Sequence, residues 1–315
     1  RSNDLQPFSD IERRVGKKTV VLPPTEVVDP SGRTFDRLPV LEPLDRLLAS
    51  QAQAIEAVRH IALSIGEAVD ASADRLRGSD GRLMYAGAGC SIRIGVQDGV
   101  ELVPTFGWPL ARLAYLIAGG PRALSVSVEG AEDDAIDAER QVSEQLVSQS
   151  DVVIGIAASG NTPFTCRVLE EAKARGALTI GVTSNPQARL AEIADHGLVT
   201  ETGAEVLAGS TRLGAGTAQK ALLNAFSTTL MTQLGRVLGN EMLCVQATNA
   251  KLKDRQARIL AGQIDRLSTA EAYQLLSDLD WNLQAGLLVA SGWTVSEALD
   301  ALALERPLRE LLRSR

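Results

Sequence analysis

The chain has 315 residues, of which 45% are hydrophobic and 23% charged, enough for one large domain with an appendage or for two domains. Its net charge of −7 argues against a nucleic-acid partner, because phosphate backbones bind basic surfaces. The three cysteines are scattered and lack metal-binding spacing, which predicts a reducing compartment and no metal or cofactor. We find no apolar run or leader typical of membrane insertion or secretion, and therefore expect a cytoplasmic protein with no membrane partner.

Residues 1–45 are predicted to form an extended arm. Proline, which interrupts regular structure, occurs there at Pro7, Pro23, Pro24, Pro30, Pro39 and Pro43. From residue 46 to residue 78 the pattern changes. Apolar side chains now recur at helical spacing, at Leu47, Leu48, Ile55, Val58, Ile61, Ile65 and Val69. This spacing predicts one or two helices.

A regular alternation of strands and helices follows. Short apolar strands are predicted in RLMYAGAG, ARLAYLIAGG, DVVIGIAASG, LTIGVTSNP and GLVTET. Helices are predicted in SIRIGVQDGVEL, AEDDAIDAERQVSEQL, NTPFTCRVLEEAKARG, ARLAEIADHG and GTAQKALLNAFSTTLMTQLGRVLG. Such an alternation is typical of a parallel sheet covered on both faces. We therefore predict an α/β fold, a doubly wound parallel sheet over residues 46–255.

The pattern of residues 256–315 is purely helical. Three short helices separated by Asp and Gly turns are predicted between residues 268 and 303, with Ser268 and Thr294 as N-caps. This stretch is predicted to be a small all-helical appendage.

Polar loops follow the predicted strands, where ligands of open parallel sheets bind. They are residues 87–91, 157–162, 183–186 and 209–212. Small residues let backbone N–H groups approach an anion, and helix N-termini favour phosphate. Packing alone could explain any one such loop, but several at successive strand ends favour a phosphate site. The dinucleotide pattern GxGxxG is absent, since Ile92 stands where its last Gly would be.

Three glutamates near these loops are candidate acid and base groups. Glu101 lies toward the end of a predicted helix, and Glu129 and Glu132 lie where a strand turns into a helix. Taken alone, each is more typical of a solvated surface acid or of a helix-start acid that complements the dipole.

These segments resemble the N-acetylmuramic acid 6-phosphate etherases, a branch of the sugar-isomerase (SIS) phosphosugar-binding superfamily. The residues that carry the resemblance span roughly 80–256, in the order RLMYAGAGCSIRIGVQD, PTFG, LIAGG, VEGAEDD, DVVIGIAASGNTP, GSTRLGAGTAQKALLN and GNEMLCVQATNAKLKDR. TEVVDP and FDRLP resemble a weakened form of the family's N-terminal segment. The terminal helices resemble its small ubiquitin-associated-like tail.

The resemblance implies a homodimeric lyase that cleaves the D-lactyl ether of N-acetylmuramic acid 6-phosphate or a close analogue. The products are N-acetylglucosamine 6-phosphate and D-lactate, formed by C2 proton abstraction, elimination and rehydration. It makes Glu132 the general base and Glu101 the general acid. It also implies a set of residues that bind the sugar and its phosphate, namely Gly89, Cys90, Ser91, Glu129, Ser159, Gly160, Asn161, Thr162, Ser210 and Thr211.

The chain departs from the family pattern at several of these positions. GCSIR replaces GTSGR, SGNTP replaces SGRTP, RLGAGTAQK replaces RxKAGTAQK, and ELVPT replaces ECPPT. The first of these changes places Cys90 where the family has Thr and Ile92 where it has Gly. At Asn161 and Gly214 the changes remove two positive charges. Either the substrate differs, or another cation provides the charge, such as Arg93, Arg212 or Lys220.

Two other functions remain open from the sequence. The lost basic residues would suit a non-catalytic phosphosugar-binding regulator, like the related glucokinase regulatory protein. An aldose–ketose isomerase of the wider superfamily would also remove a C2 proton. The retained Glu101 and Glu132 favour the lyase, and the retained EGAEDD disfavours the isomerase.

Overall fold

A computed structural model describes residues 23–28, 30–244, 247, 249–303 and 308–314. The predicted arm therefore lies outside the described residues at positions 1–22 and 29. The strands are β1 (Leu83–Gly87), β2 (Leu113–Ile117), β3 (Val152–Ile156), β4 (Leu178–Thr183), β5 (His196–Val199), β6 (Val237–Leu238) and β7 (Glu241–Met242).

Twelve α-helices accompany these strands in the described part of the chain. They are α1 (Leu41–His60), α2 (Ala62–Leu76), α3 (Gly89–Phe106), α4 (Ala135–Glu144), α5 (Pro163–Ala174), α6 (Arg189–Ile193), α7 (Gly214–Gln233), α8 (Ala250–Gln263), α9 (Thr269–Asp278), α10 (Leu283–Ala290), α11 (Val295–Ala303) and α12 (Leu308–Arg313). Short 3₁₀ turns lie at Pro24–Glu26, Pro30–Arg37, Leu110–Arg112, Pro121–Leu124 and Ala131–Asp133.

Strands β1 to β5 form one parallel sheet in the order β2-β1-β3-β4-β5. Alternating side chains enter two separate cores, as the pleat requires. Tyr85 packs with α1, α2, α3 and α7 on one face, whereas Met84 and Ala86 pack with α4, α5 and α6 on the other. Both faces are therefore covered, and the predicted doubly wound α/β fold is confirmed.

The C-terminal helices α8 to α12 surround a hydrophobic cluster of their own, so the predicted helical appendage is present. Ser268 caps α9 in a reciprocal pair with Glu271, as predicted. Thr294 makes the same kind of pair with Glu297 at the start of α11.

The structure differs from the sequence predictions at several places, the end of α7 and the start of α1 among them. The helix predicted to run to Gly239 ends at Gln233, because Gly235 adopts a left-handed φ of 75° that no helix continues. A two-residue turn at Gly239 and Asn240 then joins β6 to β7, strands too short to show alternation.

At the other end, α1 begins at Leu41, inside the predicted arm. The segment before it lies against the loop that precedes α7, since Gly209 N donates to the carbonyl of Thr25 at 3.1 Å. The division into residues 1–45, 46–255 and 256–315 stays a prediction.

Asp151 ties the starts of β1 and β3 together. Its buried carboxylate accepts hydrogen bonds from Arg82 N at 2.9 Å, Arg82 Nη2 at 2.7 Å and Ser148 N at 2.8 Å. Burial alone would raise the pKa of Asp151, but these hydrogen bonds outweigh it and lower the pKa below its ordinary value. This carboxylate therefore stabilises the fold as long as it is ionised.

We expect Asp151→Asn to lower the free energy of unfolding by roughly 3 kcal/mol in urea titrations, because it leaves a largely buried Arg82 without its charge partner. Asp74→Asn, which breaks an exposed pair with Arg77, should cost less than about 1 kcal/mol. The depressed pKa also predicts that this stabilisation is fully present above the pKa of an unfolded Asp, about 3.9, and is lost as the pH falls through the lower pKa of folded Asp151. Equal stability of the two variants would contradict this role.

Candidate active site

A parallel sheet with this strand order is expected to have a crevice between the carboxyl ends of β1 and β3. These strands are adjacent, with Gly87 opposite Ile156, but β1 leads across to β2 on one side of the sheet while β3 leads to β4 on the other. The loops that leave them therefore diverge at their carboxyl ends. Such a switch point is where open α/β sheets bind ligands.

The first of these loops joins β1 to α3. A side chain at Gly87 would come within 2.7 Å of the Ile156 carbonyl oxygen, so only glycine lets the two strands run this close. Gly89 follows with a left-handed φ of 54°. The N-cap residue Ala88 provides no side-chain cap, so the first N–H groups of α3 are open to an anion. Cys90 and Ser91 lie half-buried in this first turn.

The second loop joins β3 to α5 and contains Ser159, Gly160, Asn161 and Thr162. Gly160 has a φ of 68°, and a Cβ there would lie 2.2 Å from Ala188 Cβ, so this position also requires glycine. Thr162 makes no side-chain cap on α5. A second open helix N-terminus therefore meets the crevice.

Hydrogen bonds hold the second loop in shape. Asn161 Oδ1 accepts from Arg189 N at 3.1 Å, and Asn161 N donates to Ser159 Oγ at 3.3 Å. Asn185, in the third polar loop, donates through Nδ2 to the Ser159 carbonyl at 3.4 Å. Asn161 and Asn185 thus shape this loop.

The fourth loop, residues 209–212, leads into α7 and contains Ser210 and Thr211. Unlike α3 and α5, this helix has its N-terminus filled by a carboxylate. Glu205 is 2% exposed, and its Oε2 and Oε1 accept hydrogen bonds from Gly214 N and Ala215 N at 2.9 Å each. Glu205 could not be identified from the sequence, because nothing local marks an acid nine residues before a helix as its cap.

Glu132 and Glu129 lie beyond the end of β2, the strand next to β1. Gly130 takes a left-handed φ of 71°, which turns the chain into the short 3₁₀ turn Ala131–Asp133. This segment folds back over the strand end, since a Cβ on Gly119 would lie 3.1 Å from Ala131 Cβ. Ala131 packs against the same core cluster as Ala88 of the first loop. Both glutamates are exposed.

Glu101 lies on α3, the helix that starts at the first loop. It follows Cys90 by eleven positions, just over three turns, so the two residues share one face of the helix about 16 Å apart along its axis. Glu101 is exposed, one turn before the helix ends at the left-handed Gly107. The first loop and Glu101 therefore mark two ends of one strip of α3.

A buried polar network surrounds Asp98, which lies on α3 three residues before Glu101. The sequence did not predict this network. Asp98 is 2% exposed and accepts from Tyr85 OH at 2.8 Å, Asn224 Nδ2 at 2.6 Å and Ser227 Oγ at 3.2 Å. Burial raises the pKa of Tyr85 well above its usual value, so its hydroxyl stays a donor to Asp98. The network joins β1, α3 and α7.

The described residues contain no group of three or more His, Cys, Asp or Glu residues arranged to hold a metal ion. No helix within the described ranges combines the length and the apolar character needed to cross a bilayer.

Comparison with known families places two matches on the α/β part of the chain. Residues 60–173 match the glucokinase regulatory protein N-terminal SIS domain, and residues 133–228 match the SIS domain. Both matched ranges contain residues of the crevice, including the loop between β3 and α5.

The chain is also similar to curated proteins over most of its length. It is 45% identical to the N-acetylmuramic acid 6-phosphate etherase of Deinococcus radiodurans, over 75% of this chain and 77% of that protein. It is 40% identical to the N-acetylmuramic acid 6-phosphate etherase of Streptomyces coelicolor, over 88% of this chain and 93% of that protein. Among solved structures, a phosphoheptose isomerase from Francisella tularensis matches with a TM-score of 0.47 and 18% identity, over 62% of this chain and 98% of that chain.

Proposed function

Because the chain belongs to the N-acetylmuramic acid 6-phosphate etherase family, we propose that its β1/β3 crevice binds a 6-phosphorylated muramic acid and that Glu132 and Glu101 cleave the ether. The chain is an etherase, a lyase that acts on a carbon–oxygen bond, and a sugar phosphate is its substrate. The roles of individual residues in this reaction are proposed.

The phosphate would bind where the N-termini of α3 and α5 meet. The main support is that both helices begin without a side-chain cap, at the carboxyl ends of the adjacent strands β1 and β3. Ser91 and Ser159 would donate hydroxyl hydrogen bonds, and the backbone N–H groups near Gly89 and Gly160 would complete the set. Cys90, Asn161, Thr162, Ser210 and Thr211 would line the same pocket.

The sugar would extend from the phosphate along α3. Cys90 and Glu101 share a face about 16 Å apart, a span that a sugar phosphate and two side chains together can bridge. The lactyl ether at C3 would then lie toward Glu101. Glu132 and Glu129 would approach from the segment beyond β2, with Glu132 facing C2.

The proposed reaction begins from the open-chain sugar, whose aldehyde acidifies the C2 proton. Glu132 takes that proton, and its electron pair forms a double bond between C2 and C3 as the C3–O bond breaks. Glu101 gives a proton to the departing lactate oxygen. Water then adds across this double bond, its hydroxyl to C3 and a proton to C2, which gives N-acetylglucosamine 6-phosphate.

A second copy of the chain is proposed to help enclose this site. Both catalytic glutamates are exposed in the single chain. An acid and a base of the same residue type need different surroundings, because only then do their pKa values differ. In a homodimer, residues of the partner chain would cover these glutamates. Helix α7 buries its apolar residues against α1, α2 and α3, so they are not available for such an interface. An exposed apolar strip on α1 supports that helix instead, at Leu41, Leu44, Leu48 and Ile55.

A cytoplasmic location is proposed from cysteine chemistry. Cys90, Cys166 and Cys244 are all unpaired, as expected in a reducing compartment.

The two other functions considered from the sequence are not favoured. A regulator like glucokinase regulatory protein would share the SIS domain but needs neither Glu101 nor Glu132. The curated relatives of 40–45% identity over most of their length are named etherases, not regulators or isomerases.

The function itself is tested by D-lactate release. We expect the protein to release D-lactate from N-acetylmuramic acid 6-phosphate and to leave unphosphorylated N-acetylmuramic acid intact, because the phosphate anchors the sugar. Binding of the phosphorylated sugar without any D-lactate would contradict the etherase and favour a regulator.

The phosphate pocket is tested by Ser159→Ala. Loss of one hydrogen bond to a charged group should weaken binding of N-acetylglucosamine 6-phosphate about tenfold or more in calorimetry, with the melting temperature unchanged. Ser296→Ala, on the exposed surface of α11, is the matched control and should bind like wild type. Unchanged affinity in Ser159→Ala would remove this loop from the site.

A further inference from the structure

We propose that Arg212 supplies the positive charge that binds the substrate's phosphate, an inference that rests on the proposed function. Asn161 and Gly214 stand where the family pattern has Arg and Lys, so the charge must come from one of the basic residues of that pattern that remain. The phosphate is a dianion near neutral pH. Three basic side chains near the crevice are candidates for this role. They differ in whether they already form hydrogen bonds within the chain.

Arg93 and Lys220 are already engaged within the chain. The Arg93 guanidinium donates through Nε and Nη2 to the Ala123 carbonyl, at 3.2 and 2.9 Å, which fastens α3 to the turn after β2. The Lys220 ammonium donates to Asn224 Oδ1, and Asn224 in turn donates to the buried Asp98. Hydrogen bonds within the chain therefore hold both side chains in place.

Arg212 is exposed and, among the residues that the structure describes, makes no hydrogen bond or ion pair. All of its guanidinium donors are therefore open to a ligand. It lies at the end of the fourth loop, two residues before α7 begins. A planar guanidinium with paired N–H donors is well suited to a phosphate.

Packing brings this loop to the phosphate-binding end of α3. A Cβ on Gly216, in the first turn of α7, would lie 3.6 Å from Ile94 Cδ1, and Ile94 is one turn beyond Cys90 on the same face of α3. The charge of Arg212 also reaches Cys90. Burial raises the pKa of that thiol, and the positive charges of Arg93 and Arg212 partly oppose the rise.

The start of α7 cannot bind the phosphate by itself. Glu205 occupies its first two N–H groups and brings a buried negative charge. Gly214 leaves this carboxylate without a lysine beside it, and a Cβ there would lie only 3.2 Å from Glu205 Oε2. An anion next to this helix end would be repelled unless a side-chain cation intervenes. Arg212 is placed in sequence to be that cation.

The test compares Arg212→Gln with Arg212→Lys in the full chain, using calorimetry with N-acetylglucosamine 6-phosphate. We expect Arg212→Gln to weaken binding at least about tenfold and Arg212→Lys to recover part of the loss. Wild-type affinity should rise between pH 5 and pH 7.5 as the phosphate takes its second charge near about pH 6, and this rise should be smaller in Arg212→Gln. Arg309→Gln, an equal charge change on exposed α12, should bind like wild type.

Two results would overturn the proposal. One is unchanged affinity in Arg212→Gln. The other is an unaltered pH dependence together with weaker binding, since that pattern indicates loss of loop structure and not of a charge contact. If wild type fails to bind the phosphorylated sugar at all, the proposed function fails and this proposal with it. Wild-type binding combined with an unaffected Arg212→Gln overturns only the role of Arg212.

Discussion

Glu132→Gln is expected to abolish both the exchange of the C2 proton and the release of D-lactate. Glutamine keeps the size of the side chain and part of its hydrogen bonding but cannot take up the proton. A general base contributes about 10²–10⁴-fold, so both rates should fall by that factor. The measurement is single-turnover kinetics with N-acetylmuramic acid 6-phosphate, following lactate enzymatically and C2 deuterium by NMR.

The matched control is Glu144→Gln, the same chemical change on the exposed surface of α4, where Glu144 pairs with Arg140. It should retain wild-type rates. Glu132 lies in an exposed turn, so Glu132→Gln should also keep its melting temperature and its affinity for N-acetylglucosamine 6-phosphate. Persistence of C2 exchange in Glu132→Gln would show that another group is the base.

Glu101→Gln is expected to separate the two steps. Its base is intact, so C2 exchange should continue, while D-lactate release falls about 10²–10⁴-fold because the departing oxygen receives no proton. The same kinetic and NMR measurements apply. The variant should fold normally, since Glu101 is exposed on α3.

The contrast between the two glutamates is the informative result. Equal loss of exchange and release in Glu101→Gln would mean that Glu101 positions the substrate for both steps. Unimpaired release would mean that the leaving oxygen takes its proton from elsewhere. Either outcome contradicts the role of Glu101 as general acid.

Much of the fold could be predicted from local patterns. The strands are short apolar runs that end in small residues, and the helices between them have apolar stripes, so β1 to β5 and their connections were predictable. The β6–β7 hairpin was not, because a two-residue strand has no periodicity. Nor was the end of α7, where the left-handed Gly235 interrupts an otherwise continuous helical pattern.

The site was only partly predictable for a different reason. Gly87, Gly160 and the open ends of α3 and α5 follow from small residues after strands, a local signal. The cap that Glu205 places on α7 and the network around Asp98 depend on contacts between distant segments, which no local pattern carries. Glu101 and Glu132 are exposed and resemble ordinary surface acids, so the roles proposed for them rest on family resemblance alone.

The most direct test of the catalytic account is the reaction of wild-type protein with N-acetylmuramic acid 6-phosphate in heavy water. If Glu132 removes the C2 proton before lactate leaves, the N-acetylglucosamine 6-phosphate formed should carry deuterium at C2. Release of D-lactate should accompany it. Lactate release with the original hydrogen fully retained at C2 would contradict the account, because the ether would then break without proton abstraction at that carbon.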